Sequence, residues 1–265
     1  MTTIKQDATQ QLLDRGAEMT GSAVAAIAGI ALTNHPAGAV AGAVFGTQLT
    51  HMMKDFAVRV LSHREQVRVG AVGILVIDHI RRAEAAGQQL RQDDFFATGD
   101  TGHCAGAELF EGVLLKAKQQ HEEKKLPYLA KLYGNIALDK SCSAGEANFL
   151  LQTADQLTYT QFCLLAMIGG AEKMHLNLRA TEIDDEGQQL PTAQADLLRQ
   201  CYDLCKRYLV LMRIESEPTN AVFAMQPTGV VPSQCFLTRD GRRLFNLLGL
   251  ESMTGFDYTE LARHF

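Results

Sequence analysis

The feature that most constrains this chain is a stretch from Met19 to Met53 that contains no Asp, Glu, Lys or Arg. It runs for 35 residues in a sequence in which 21% of the 265 residues are charged. The stretch divides at Asn34-His35-Pro36, a cluster typical of a turn. We therefore expect residues 1–53 to contain a hairpin whose two helical arms are uncharged.

Small residues recur at every fourth position in both arms, and the second arm reads GxxxGxxxG. A helix with this spacing carries a groove without side chains, so that another backbone can approach closely. Each Gly in a soluble helix costs about 1 kcal/mol relative to Ala, so such a run needs a packing reason. The predicted packing positions of a homo-oligomer or pore are Gly21, Ala25, Gly29, Gly38, Gly42 and Gly46.

The length of the arms leaves their environment open. Each arm has about 15 residues, or about 22 Å of helix, whereas the core of a bilayer is about 30 Å thick. A hairpin that thins the bilayer and a re-entrant hairpin inside an oligomer both fit, and a soluble hairpin packed through Gly and Ala is the alternative. Basic residues after the second arm favour the membrane under the positive-inside rule: Lys54, Arg59, Arg64 and Arg68.

The expected location is the inner, cytoplasmic membrane with the soluble part in the cytoplasm, and the alternative is the cytoplasm alone. Charged residues such as Lys5 and Asp7 precede the first apolar run, a pattern that is not typical of a signal peptide.

A helical bundle is predicted over residues 54–156 because no strand-like alternation occurs there. Apolar spacing predicts helices over 54–86, 104–123, 127–138 and 143–155. Asp93-Asp94 is expected to cap a helix start rather than to hold a metal. The segment 121–125, HEEKK, lacks the second His of a zincin and is interpreted as a hydrated helix end.

The C-terminal part, residues 157–265, has a different pattern. A helix is predicted over 157–167 after a Thr158 cap, and a second over about 192–213. Two strands follow, over 221–225 and 230–237. Thr238 and Asp240 then open a last helix.

The predicted order of elements over residues 157–250 is helices, a two-stranded wing and a last helix. This order resembles the winged-helix family. The resemblance is carried by LTYTQFCLLAM, DLLRQCYDLCKRYLV and LTRDGRRLFNLLG. The family's second helix is poorly defined around residues 173–179. The resemblance implies a module that binds DNA or packs against another protein.

The charge of this part allows local contact with nucleic acid. The whole chain has a net charge of −5 and a pI near 5.9, which excludes a protein-wide positive field. Residues 197–243 hold seven basic and four acidic side chains, a net of +3. Aromatic residues that could stack on bases are Tyr202, Tyr208 and Phe223. The predicted phosphate-contacting residues are Arg199, Lys206, Arg207, Arg239, Arg242 and Arg243.

No catalytic or cofactor motif occurs in the sequence, so we expect neither an enzyme nor a metal or cofactor site. The six cysteines form no CxxC pair. Cys201 and Cys205 share a predicted helix face at i,i+4, and we interpret them as small core residues.

The predicted fold is mainly α: a glycine-zipper hairpin, a long helix with a helical bundle, and a winged-helix-like α+β module. The predicted function is an oligomeric, membrane-associated effector of the pore or channel type, gated by the C-terminal module, which binds a nucleic acid or another ligand. This arrangement looks like bacterial toxic or abortive-infection effectors, which act in defence against phage. The alternatives are a soluble winged-helix regulator that binds nucleic acid and oligomerises through its N-terminal helices, and a structural interaction protein.

Overall fold

The computed structural model describes residues 62–97, 104–174, 178, 191–213, 229–253 and 261. These residues are mainly helical, with seven α-helices and one small antiparallel sheet among them, so the prediction of a mainly α fold is confirmed. They group into two compact units that divide between Gln156 and Leu157. The glycine-rich hairpin lies outside the described residues. Within the described part, no helix has the length and hydrophobicity needed to cross a membrane.

The described part of the first unit contains four α-helices, one of which is central. They are α1 (His63–Ala85), α2 (Ala105–Gln119), α3 (Leu126–Leu138) and α4 (Ala144–Gln156). Helix α3 contacts the other three helices and buries eight of its 13 residues. A helix that is apolar on nearly all sides belongs in the centre of a bundle, which is where α3 lies. The bounds of α2, α3 and α4 agree with the predicted helices to within a few residues.

The start of α1 corrects the predicted helix over 54–86. Ser62 has an extended backbone, and its hydroxyl accepts a hydrogen bond from the Glu65 N–H. The Glu65 carboxylate in turn accepts from the Ser62 N–H at 2.6 Å. This capping box ends any helical path through Ser62, so α1 begins at His63. The predicted stop is confirmed, because α1 ends at Ala85 and Gly87 adopts a positive φ of 85°.

Helix α1 buries only part of its apolar side chains. Val67 and Ile74 are partly exposed, whereas Val69, Val72 and Val76 are buried. The close contact with α3 sets this face: the His79 ring lies over Gly134, and its Nε2 is 2.7 Å from the Asn135 side-chain oxygen.

Asp93 does not cap a helix with its side chain. It precedes a short 3-10 turn, Asp94–Phe96, but its carboxylate pairs with the buried Arg91 through contacts of 2.8 and 2.5 Å. Arg91 also donates to the Cys142 carbonyl at 2.7 Å and lies over the Phe95 ring. This hydrogen bond from Arg91 lowers the pKa of the Asp93 carboxyl.

Lys125 corrects the hydrated helix end predicted over 121–125. It ends the 3-10 turn Glu123–Lys125 and is only 1% exposed. Its ammonium donates to the Asp155 carbonyl at 2.9 Å. Burial lowers the pKa of Lys125, while the nearby Glu122 and Asp155 oppose that shift.

The second unit combines three helices with the sheet. Its elements are α5 (Tyr159–Met174), α6 (Thr192–Lys206), β1 (Val210–Met212), β2 (Cys235–Leu237) and α7 (Arg239–Leu247). The strands pair with Val210 opposite Leu237 and Met212 opposite Cys235. Helix α5 contacts α6, β2 and α7, and so forms the centre of this unit.

Both predicted caps of this unit are confirmed. The Thr158 hydroxyl accepts from the Gln161 N–H at 3.1 Å, and the Gln161 side-chain oxygen accepts from the Thr158 N–H. The Thr238 hydroxyl accepts from the Gly241 N–H at 2.9 Å. These side chains satisfy N–H groups that a helix start leaves without partners.

The two-stranded sheet differs from its predicted form. Helix α6 ends at Lys206 instead of 213, and residues 210–212, predicted as helix, form β1. The return strand is restricted to Cys235–Leu237, after a 3-10 turn at Pro232–Gln234. The strand predicted over 221–225 lies outside the described residues.

Candidate nucleic-acid interface

The end of α6 and the start of α7 are joined beside the sheet. The Thr238 hydroxyl donates to the Tyr208 carbonyl at 2.7 Å, and the Thr238 N–H donates to the Leu209 carbonyl at 3.1 Å. Gly241 lies so close to Leu209 that a Cβ at position 241 would overlap the Leu209 carbonyl oxygen. The side chains that follow α6 and those that open α7 therefore border the same sheet.

Tyr208 has a left-handed backbone and an exposed side chain. Its φ is 56°, a region that residues other than Gly rarely adopt, and 54% of its surface is exposed. This conformation ends α6 and turns the chain into β1. Because the ring is exposed, packing of the core does not explain why a tyrosine occupies this position.

The sheet presents a second aromatic ring to solvent. Phe236 is 37% exposed and pairs with Leu211, whereas Val210 and Leu237 on the other face are buried. The Arg213 guanidinium lies 5.5 Å from the centre of the Phe236 ring. An aromatic ring and a cation thus lie together on the outer face of the sheet.

The structure separates the six predicted phosphate-contacting residues into three groups. Arg199 and Arg207 each pair with an acidic side chain of α6, Asp196 at 3.0 Å and Asp203 at 2.8 Å. These intrahelical pairs balance the charge on the outer face of α6, and we no longer expect that face to bind phosphate.

The second and third groups lie nearer the sheet. Lys206, two residues before Tyr208, and Arg239, directly after Thr238, are both exposed, and the Lys206 ammonium lies 4.8 Å from the Tyr202 ring centre. Arg242 donates to the Gly169 carbonyl at 3.0 Å and lies over Phe245, and Arg243 is partly buried.

Asp203 is the acidic residue that links α6 to α5. Its carboxylate accepts hydrogen bonds from Gln161 at 2.9 Å and from Arg207 at 2.8 Å. Partial burial raises the pKa of Asp203, but the hydrogen bonds from Arg207 and Gln161 outweigh it and leave the pKa below its usual value. Asp203 and Arg207 therefore stabilise the unit rather than offer a free cation.

We define the sheet-border surface as the exposed side chains around this sheet: Lys206, Tyr208, Arg213, Phe236 and Arg239. No ion pair involves its three cations within the described part of the chain. Sequence reasoning selected Lys206 and Arg239 as cations and Tyr208 as an aromatic residue.

The sequence did not identify Arg213 and Phe236 as members of the sheet-border surface. Arg213 was assigned to a helix end, and Phe236 to a longer strand. The signal that could have identified Phe236 is its position between Cys235 and Leu237, since alternate residues of a strand lie on opposite faces of the sheet. Of the other proposed stacking residues, Tyr202 is partly buried and Phe223 lies outside the described residues.

Three cysteines lie in the elements that border this sheet. Cys201 and Cys205 lie on α6, and Cys235 begins β2. Hydrogen bonding to Cys205 and then Cys235, with burial, raises the pKa of Cys201, whereas hydrogen bonds from Cys201 and Cys235 lower the pKa of Cys205. Within the described ranges, no group of three or more His, Cys, Asp or Glu side chains is arranged to hold a metal ion.

Comparison with protein-family models, with curated proteins and with solved structures finds no match for this chain.

Proposed function

We propose that the second unit binds single-stranded nucleic acid through the sheet-border surface. The observation that carries this proposal is the combination of two exposed rings, Tyr208 and Phe236, with three cations that form no ion pair in the described part. Proteins that bind single strands combine stacking rings with cations that follow the backbone.

The element order of the unit supports a winged-helix-like interpretation. Helix α5, helix α6, a two-stranded wing and helix α7 follow one another as in that family. In such a module α6 would enter the major groove of a duplex. The cations on its outer face, Arg199 and Arg207, are already paired with Asp196 and Asp203, so we favour the wing and a single strand over a duplex read by α6.

Variants of the full chain separate the two parts of this interface. Arg213→Ala and Arg239→Ala each remove one phosphate contact, so each should reduce the slope of log affinity against log salt by about 0.7. Phe236→Ala removes a stacking ring and should lower affinity about 10-fold with the slope unchanged. Fluorescence anisotropy with a labelled oligonucleotide at several salt concentrations measures both quantities.

Arg199→Ala is the matched control, because Arg199 already pairs with Asp196 on the outer face of α6. It should leave affinity and slope unchanged. Circular dichroism of each variant checks that the fold is retained. Equal effects of Arg199→Ala and Arg239→Ala would contradict the proposed site, and no binding by the parent protein at low salt would contradict the function.

We also propose a second function, an oligomeric membrane effector of the pore type in which the second unit gates the N-terminal hairpin. The charge-free stretch from Met19 to Met53, with its GxxxGxxxG spacing, favours it. After lysis without detergent, the full chain should pellet with membranes, and induced expression should collapse the membrane potential.

Deletion of residues 1–53 should abolish both effects. Equal partitioning of the two chains would leave the soluble nucleic-acid-binding regulator. A deletion variant that is still toxic would place the activity elsewhere in the chain.

A further inference from the structure

The outer face of the sheet carries an arginine and a phenylalanine side by side. Leu211 and Phe236 lie directly opposite each other in the pairing of β1 with β2. Opposite residues of an antiparallel pair share one face, and so do residues two positions apart along a strand. Arg213 therefore lies on the face of Leu211 and Phe236, whereas the flanking Val210 and Leu237 are buried on the other face.

The backbone of Arg213 is held in place while its side chain is exposed. The Arg213 N–H donates to the Gln234 carbonyl at 3.0 Å, which continues the hydrogen bonding of the sheet by one residue. The side chain itself is exposed, and its guanidinium lies 5.5 Å from the centre of the Phe236 ring. The guanidinium can thus move over the ring from a fixed point of attachment.

A buried pair in the first unit shows how a closed contact of this kind differs. The Arg91 guanidinium lies 4.1 Å from the Phe95 ring centre, and the Asp93 carboxylate accepts a hydrogen bond from it at 2.8 Å. That pair is closed and fixed by an ion pair. The pair of Arg213 and Phe236 is wider, and no ion pair fixes its guanidinium in the described part of the chain.

We propose that Arg213 and Phe236 clamp one unpaired base of the bound strand between their planar groups. This inference rests on the proposed function and specifies the ligand of that site: a strand with accessible bases, rather than a polyanion in general. Bases stack on aromatic rings and on the flat guanidinium of arginine. The ammonium of lysine is a point charge and offers no such plane.

The width of the pair suits this role. A base between two planes needs about 7 Å, since each of its two faces makes contact at about 3.5 Å. The present separation of 5.5 Å falls short of that width by about 1.5 Å, which rotation of the exposed Arg213 side chain supplies. A closed pair such as Arg91 and Phe95 would have to give up its ion pair to open as far.

The Arg213 guanidinium has two roles in the clamp. Its plane covers the base, and its N–H groups face the adjoining phosphate. Arg213→Ala removes both, which accounts for the loss of salt dependence expected of that variant. Arg213→Lys keeps the charge and loses only the plane, so it isolates the stacking.

The test is fluorescence anisotropy of the full chain with two labelled single strands of equal length and charge. One strand consists of thymidines, and the other has an abasic site at every position. The parent protein should bind the thymidine strand at least 10-fold more tightly, because stacking of one base contributes about a factor of 10 or more.

Arg213→Lys should bind the thymidine strand about 10-fold more weakly than the parent does. The slope of log affinity against log salt should stay that of the parent, because the charge is kept. Binding of the abasic strand should not weaken. The matched control is Arg199→Lys, the same substitution at an arginine that pairs with Asp196 outside the sheet-border surface, and it should bind both strands as the parent does.

Phe236→Leu removes the other side of the clamp and keeps an apolar side chain on β2. It should weaken the thymidine strand about 10-fold and leave the abasic strand unchanged. Together with Arg213→Lys it should weaken binding by less than the product of the two single effects, because both variants break the same stack. Circular dichroism checks that each variant keeps the fold.

The possible failures are distinguishable. A parent protein that binds the thymidine strand no better than Arg213→Lys does would overturn the clamp and leave the proposed function. Equal weakening of both strands by Arg213→Lys would also overturn the clamp, since the loss would then not depend on a base. A parent protein that binds neither strand at low salt would overturn the proposed function and the clamp with it.

Discussion

At the scale of single residues, the sheet-border surface includes one residue, Tyr208, whose backbone conformation is unfavourable for any side chain. Tyr208 adopts φ 56° with its ring exposed, and its carbonyl accepts from Thr238. A left-handed residue other than Gly costs about 1–2 kcal/mol. A strained residue with an exposed ring fits a role in binding rather than in packing.

Tyr208→Gly tests this interpretation against Tyr208→Ala. Both variants remove the ring, but Gly adopts a positive φ without steric cost, so its free energy of unfolding should exceed that of the Ala variant by about 1 kcal/mol. Urea denaturation measures the difference. Both should bind a single-stranded oligonucleotide more weakly than the parent protein, and a Gly variant less stable than the Ala variant would contradict the strain.

At position 241, replacing Gly with a larger residue should destabilise the protein. A Cβ there would overlap the Leu209 carbonyl oxygen, which is part of the backbone and cannot rotate away. Gly241→Ala should lower the free energy of unfolding by about 2–3 kcal/mol. Gly145→Ala is the matched control: it lies in α4 with nothing within 4 Å of the added Cβ, and should raise stability by about 0.5–1 kcal/mol. Thermal unfolding that ranks the two variants in the reverse order would refute the close approach.

Asp203 should make the second unit sensitive to acid. Because its pKa is lowered in the folded protein, its contribution to stability is complete above the ordinary Asp value of about 3.9 and is lost as pH falls through the folded pKa. The stability difference between the parent and Asp203→Asn should therefore shrink below about pH 4. Urea unfolding over a pH series measures this, and a constant difference would contradict it. Asp196→Asn, in an exposed pair, should change stability by less than about 0.5 kcal/mol.

At the scale of elements, sequence alone predicted most helices and two of their caps. Thr158 and Thr238 were identified because a hydroxyl residue before an apolar run is a local signal. The failures also have local causes. Ser62 interrupts a run whose apolar spacing continues on both sides, and α6 ends because Tyr208 turns left-handed, which no pattern indicates.

The candidate site was predictable only in part. Lys206, Tyr208 and Arg239 were identified by residue type, as basic or aromatic side chains of the C-terminal part. Lys125 was missed as a buried hydrogen-bond donor, since its acceptor Asp155 is 30 positions away. Such pairings depend on how the elements pack, which hydrophobic spacing does not specify.

The N-terminal arms carry a prediction of their own, drawn from spacing. Gly42→Leu fills the centre of the GxxxGxxxG groove and should block close backbone approach, so the oligomer should shift to a lower state. Native mass spectrometry measures the assembly. Gly145→Ala, in α4 with nothing within 4 Å of the added Cβ, is a control that should leave the assembly unchanged. The same assembly in Gly42→Leu would refute the zipper.

At the scale of the whole molecule, the charge distribution determines how nucleic acid can bind. The chain is acidic overall at −5, but the sheet-border surface contributes three cations without ion-pair partners in the described residues. Binding to nucleic acid should therefore be local and salt-sensitive, and independent of residues 1–53.

Photocrosslinking tests the central claim most directly. The full chain is mixed at low salt with a single-stranded oligonucleotide that carries 5-iodouracil, irradiated, digested and mapped by mass spectrometry. We predict crosslinked peptides that contain Tyr208 or Phe236, because a base stacked on either ring lies within bonding distance. Crosslinks confined to peptides outside residues 206–239, or none under these conditions, would contradict the proposed interface.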